Sequence, residues 1–210
     1  RPASKSLGEG QVLQTPYEAE KAKIVMLEMA DALALQLVEK ELVTDQVVLT
    51  VGYDLENLSD PERRKHYSGE IVTDYYGRQL PKHAHGSEGL PHYSSSAHEL
   101  VAAFSALFDR IVNPALTVRR LALSASHVIP EREAGKRSEG YTQLSLFTDC
   151  EAEEAKQAEE TARRERERKL QEATLAIKKK FGKNALLKGR SLLDGATGKD
   201  RNEQIGGHRA

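Results

Sequence analysis

Two helix-patterned stretches, each followed by a strand-like run, confine this chain to a layered α+β arrangement. In the first, Ile24, Leu27, Ala34 and Val38 form a stripe widened by Met26, Ala30, Leu33 and Leu37, which predicts a helix to about Lys40. Thr15-Pro16-Tyr17-Glu18 reads as its capping box, with proline at the first helical position. The acidic residues Glu18, Glu20, Glu28, Asp31 and Glu39 mostly fall off the stripe. In the second, Ser96-Ala97-His98-Glu99 is another capping box, Leu100, Phe104, Leu107, Phe108 and Ile111 recur at helical spacing, and Asn113-Pro114 stops the helix.

Strand signals surround these helices. Ser4 to Leu13 reads as a short strand, Val47 to Asp54 is β-branched, and Val118 to Val128 alternates. Residues 55–95 are long for a loop and contain the basic triplet Arg63-Arg64-Lys65 and a possible strand at Glu70–Tyr75. The order strand, helix, strand, strand, helix, strand predicts a split βαβ-type sheet of about four strands with two helices on one face. The other face is then open. If Leu121 and Leu123 pack on the helices, alternation puts Arg120 on the open face with Ser124 and Ser126, and leaves Arg119 needing a carboxylate or the sheet margin.

Composition narrows the class. With 39% apolar and 30% charged residues, the chain supports one modest core and much exposed helix. No apolar run approaches the ~20 residues a membrane span needs, and Arg1-Pro2-Ala3-Ser4-Lys5 lacks the apolar segment of a signal peptide. A single cysteine, Cys150, excludes an internal disulfide and fits a reducing, cytoplasmic compartment. A start at Arg1 suggests a piece cut from a longer protein. Residues 1–130 carry 13 Lys and Arg against 17 Asp and Glu. A global basic field is therefore absent, and nucleic-acid binding must come from a local cluster.

Beyond residue 130 the pattern changes. Residues 131–150 form a polar linker in which Gln143, Leu144, Ser145, Leu146 and Phe147 stand out. A few large apolar residues in a polar segment cannot build a core, but they can anchor a partner's pocket. The half-alternation from Tyr141 to Leu146 also allows a short strand. Residues 151–190 read as a charged helical extension, and residues 191–210, with four glycines between Gly195 and Gly207, as a flexible C-terminal tail. The peptide Gln143 to Phe147 resembles the one by which bacterial DNA polymerases and repair proteins hook onto the ring-shaped sliding clamp, where the glutamine takes a small polar pocket and the Leu-Phe pair an apolar one.

Taken in order, KSLGEGQVL, a capped helix, VVLTVGYD, a second capped helix and VRRLALSAS resemble the little-finger domain of Y-family translesion DNA polymerases, of the UmuC/ImpB/MucB/SamB type. In that family a tail with a clamp-binding peptide follows the little finger, and QLSLF stands in that position. The resemblance covers nearly the whole chain. It implies a role in DNA damage repair and the SOS response, with duplex or primer-template DNA and the bacterial sliding clamp as partners. It places residues 1–130 as a DNA-binding domain, in which Lys5, Ser6 and Gly8 match the first-strand segment that runs along template phosphates. Thr50, Arg78, Arg119 and Arg120 are the other DNA-contact candidates. It also implies that the palm, with its two-metal carboxylates and Mg²⁺, lies upstream, so this chain is expected to hold no catalytic residue and no cofactor.

Competing readings are thin. Asp54 and Glu56 mimic a metal-binding pair, but a strand-end turn explains them as well. His83, His85 and His92 with Cys150 lack the paired spacing of a zinc site. The run Lys178-Lys179-Lys180, with Lys183, Lys188 and Arg190, either touches phosphates or solubilises a tail. An adaptor with a coiled-coil arm is the alternative function, and it requires an a/d apolar repeat where residues 151–169 offer mainly alanine.

Overall fold

The computed structural model describes residues 5–134, 150–205 and 208–209. In chain order the elements are β1 (Leu7–Tyr17), α1 (Ala19–Glu39), β2 (Leu42–Tyr53), the short helices α2 (Glu56–Ser59) and α3 (Pro61–His66), and the strands β3 (Ile71–Thr73), β4 (Gln79–Pro81) and β5 (Ala84–Ser94). There follow α4 (Ala97–Ile111), β6 (Val118–Ser126), β7 (Ile129–Pro130), α5 (Glu131–Ala134) and α6 (Cys150–Phe181). A 3₁₀ turn (Gly189–Leu192), α7 (Gly198–Asn202) and a two-stranded turn at Gln204–Ile205 and His208–Arg209 complete the described chain.

The main sheet has the order β1-β6-β2-β5, antiparallel throughout, with β7 added to β2. Each β-α-β unit straddles one intervening strand: β1 and β2 flank β6, and β5 and β6 flank β2. This is the expected α+β split βαβ fold, with α1 and α4 on one face. The core between the layers contains Met26, Met29, Leu33 and Leu37 from α1 and Leu100, Phe104 and Leu107 from α4. Val47, Leu49, Val51, Leu121 and Leu123 meet them from the sheet, all 2% exposed or less. Burying such side chains is worth about 1.5–3 kcal/mol each and is the main term holding the domain together.

Several expectations change. Thr15 to Tyr17 belong to β1, which pairs as far as Tyr17 with Val118, so they do not cap α1. Glu18 occupies the cap position with no side-chain cap bond and instead pairs with Arg63 at 3.0 Å. Pro16 is tolerated because β1 is an edge strand and needs no outward N–H. The third sheet strand is β5 rather than residues 70–75, which supply one arm of the small β3–β4 hairpin. Glycine, proline and histidine conceal the alternation of β5. A side chain at Gly86 would be tight there, since a Cβ would lie 3.1 Å from both Leu107 and Ile111. The second capping box holds in part: Ser96 Oγ accepts the Glu99 N–H at 3.2 Å, while Glu99 turns to His92 and Arg164.

The stretch expected to be a flexible tail packs on α1 and β1. Glu28, 5% exposed, accepts the N–H groups of Thr197 and Gly198, each at 2.9 Å. Asp31 receives Lys188 at 2.5 Å and Arg190 at 3.6 Å. Gln11 bonds Thr197 and Arg201. Glu28 and Asp31, two of the acidic residues of α1 read as falling mostly off its apolar stripe, are thus buried under the extension. A side chain at Gly198 would displace the Glu28 carboxylate, since a Cβ would meet its Oε1 at 2.6 Å. Helix α6 caps α4 from outside: Glu167 accepts the His98 N–H at 2.9 Å and the Ser96 hydroxyl at 2.7 Å, and buried Gln171 donates to the Ser95 carbonyl. The basic run is largely engaged. Lys179 pairs with Glu39, and Lys178 donates to the carbonyls of Lys183 and Leu186, with burial pushing its pKa down.

Candidate nucleic-acid interface

The face of the sheet opposite the helices is bare. Register places Gly8, Ser124, Val48 and Ser87 in one row across the four strands, and Gly10, Ala122, Thr50 and His85 in the next. Val12, Arg120 and Gly52 form a third row, and Ser126, Gln46 and Gly89 lie at the opposite end. Directly opposite residues share a face, so this surface combines Gly, Ala, Ser and Thr with Val12, Gln46, Val48 and His85 around one guanidinium. A Cβ at Gly8 would meet the Leu123 carbonyl at 2.7 Å, so strand packing itself demands glycine there and keeps the surface low.

Arg120 is exposed and has no acceptor among the described residues. Its neighbour Arg119 points the other way, donating to the Gln14 carbonyl at 2.8 Å and lying 3.7 Å from Asp54. The two arginines therefore differ: Arg119 fastens the sheet margin and Arg120 stands on the bare face. Thr50 is on the bare face, its hydroxyl 2.8 Å from His85 Nδ1. Ser6 has the parity of that face. Lys5 lies outside the strand with the opposite parity, exposed at the margin, where its carbonyl accepts the Val128 N–H. Arg78 is not on the sheet; it closes the β3–β4 turn onto Asp74 at 2.7 Å. His85 was missed as a surface residue, because the glycines and proline of β5 hide the alternation that sets it on one face with Ser87. Gln143, Leu144, Ser145, Leu146 and Phe147 lie outside the described residues.

No group of three or more His, Cys, Asp or Glu side chains is arranged to hold a metal among the described residues. Asp54 accepts the Glu56 N–H at 3.0 Å and Glu56 accepts the Thr117 hydroxyl at 2.8 Å, so the pair serves a strand-end turn. His85 is engaged with Thr50, and His92 sits 3.1 Å from Glu99. No described helix is long and apolar enough to cross a membrane.

The arrangement defines a class: an antiparallel platform with one face buried under two helices and the other presenting small polar side chains. Residues 4–146 match the model of the impB/mucB/samB family C-terminal domain, and the chain belongs to that family, as the little-finger part of a Y-family polymerase. Among solved structures it is similar to one described as a complex of the beta-clamp processivity factor and the little finger domain of PolIV. That match has 12% identity and a TM-score of 0.37, over 69% of this chain and all of the other. No curated protein matches the chain.

Proposed function

We propose that this chain grips duplex DNA without reading its sequence and tethers a translesion polymerase to the sliding clamp. The observation that carries the reading is the bare sheet face, where Gly8, Ser124, Ser126 and Thr50 leave room for a phosphate backbone beside Arg120, which has no acceptor among the described residues. Hydroxyls and exposed backbone position a duplex, and among the described residues of this face only Arg120 and Gln46 are of the types that pair bidentately with bases. The chain supplies position, and the phosphoryl-transfer chemistry with its Mg²⁺ belongs to a palm outside it. Gln143 to Phe147 is the tether: Leu146 and Phe147 each gain about 1.5–3 kcal/mol on entering a preformed pocket, before ordering costs. The setting is the cytoplasm, in the response to DNA damage.

Fluorescence anisotropy with labelled duplex tests the platform. With Arg120 on the face and Lys5 at its margin each neutralising one phosphate, log affinity should fall against log salt with a slope of about −2. Lys5→Ala with Arg120→Ala should weaken every sequence alike. Binding that persists at high salt or prefers one sequence overturns the reading. Calorimetry with purified clamp tests the tether, which Leu146→Ala with Phe147→Ala should abolish while leaving duplex binding intact.

A further inference from the structure

The β3–β4 hairpin exposes two aromatic rings that the fold does not use. Tyr75 is 96% exposed and Tyr76 78%. Single exposed apolar residues need no explanation, but this tip is built to hold its rings in place. Asp74 Oδ1 accepts the N–H groups of Tyr76 and Arg78, each at 2.9 Å, and Oδ2 accepts Arg78 Nε at 2.7 Å. The Asp74 N–H bonds the Arg78 carbonyl, and the turn passes through Gly77 at φ +78°, a left-handed conformation that glycine adopts freely. The hydrogen bond from Arg78 holds the Asp74 carboxyl below its usual range, so the clasp is intact at neutral pH. The rings meet edge to face, 5.4 Å apart at 86°, and the Arg78 guanidinium lies 5.2 Å from the Tyr76 centroid.

The position of the hairpin is equally specific. It belongs to the connection from β2 to β5, at the end of the sheet where Val51 pairs with Ala84 and Gly52 with Arg120. Arg120, the exposed cation of the bare face, stands at this same end of the sheet. What the hairpin offers is ring surface rather than charge, because Glu70 pairs with Lys82 and Asp74 with Arg78. A protein hot spot would need a surrounding ring of residues to exclude water. Here Thr73, Gly77, Arg78 and Gln79 around the tip are themselves exposed. Stacking on a nucleobase needs only a planar π face and tolerates any sequence.

We propose that Tyr75 and Tyr76 form a stacking post for an unpaired nucleobase next to the duplex gripped by the sheet. The proposal rests on the reading of the sheet as a DNA platform, and the test separates the two. The full chain is titrated with a blunt duplex and with a primer-template carrying 2-aminopurine in its single-stranded overhang. Tyr75→Ala with Tyr76→Ala should weaken overhang binding about ten-fold and remove the change in 2-aminopurine emission, while blunt-duplex affinity stays unchanged. Tyr75→Phe with Tyr76→Phe should bind as the parent does, because the ring rather than the hydroxyl is used. Circular dichroism checks that both variants fold. Equal overhang affinity in the alanine variant, with duplex binding intact, overturns the stacking post. Loss of clamp binding with DNA binding unchanged also overturns it, by assigning the hairpin to a protein. Failure of the parent chain to bind either DNA removes the platform, and the post with it.

Discussion

The two flanks of α1 are held by different physics. Toward the sheet, Met26, Met29, Leu33 and Leu37 are fully buried among aliphatic side chains. Toward the C-terminal extension, Glu28 and Asp31 are buried against two backbone N–H groups, a lysine and an arginine. The first flank is non-directional and tolerates small shifts. The second depends on a few hydrogen bonds, each costly if left unmade. The contrast implies that the sheet and its helices form the cooperative unit, with the extension attached to it as a separable layer.

The largest effect should come from the aliphatic side. Phe104→Ala removes a fully buried ring and is expected to cost about 3–5 kcal/mol in chemical denaturation, lowering the stability of sheet and extension together. Next, Glu28→Ala strands the Thr197 and Gly198 N–H groups, a cost of about 1–3 kcal/mol each where they stay buried. Hydrogen exchange should show residues 188–203 losing protection while β2 and β6 keep theirs. Equal loss in both would break the contrast and make the extension part of the core. Lys188→Ala removes a half-exposed partner and should cost no more than about 1 kcal/mol, less in high salt.

The smallest effect is a pH dependence at Glu9. Burial, opposed by the charge of Arg201 and a hydrogen bond from Gln36, raises its pKa above the ordinary 4.5. A carboxyl whose folded pKa is raised opposes folding while it is ionised. Stability should therefore increase as pH falls from neutral through the raised folded value toward 4.5. Glu9→Gln should be more stable than the parent at neutral pH and lose that part of the pH dependence. A parent and variant with parallel stability curves would remove Glu9 as the cause.

What the sequence disclosed follows the same division. The helix stripe of α4, the β-branched run of β2 and the alternation of β6 are local patterns imposed by burial; α4 and β6 appear near their expected bounds, while β2 begins five residues earlier, at Leu42. Arg119 and Arg120 could be assigned opposite faces by parity alone. Strand β5 was hidden because its inward positions include Gly86 and Glu88 rather than large apolar residues. The docking of the extension was hidden for a different reason. Its partners are more than 150 residues apart, and a buried Asp31 or Glu28 looks in sequence like any solvated helix acid. The wide buried arc of α1 also misled the stripe, since Ile24 and Leu27 are only half-buried while Val25 and Met29 are fully enclosed.

The prolines at the two sheet margins bear on self-association. The sheet ends at β1, which carries Pro16, and at β5, which carries Pro91, and no described strand pairs beyond either. An edge strand with a full set of free N–H groups is a template on which a second chain can add its own strand. A proline interrupts that template by removing a donor and fixing the backbone. Copies of this chain brought close together can therefore meet without zipping into one another edge to edge.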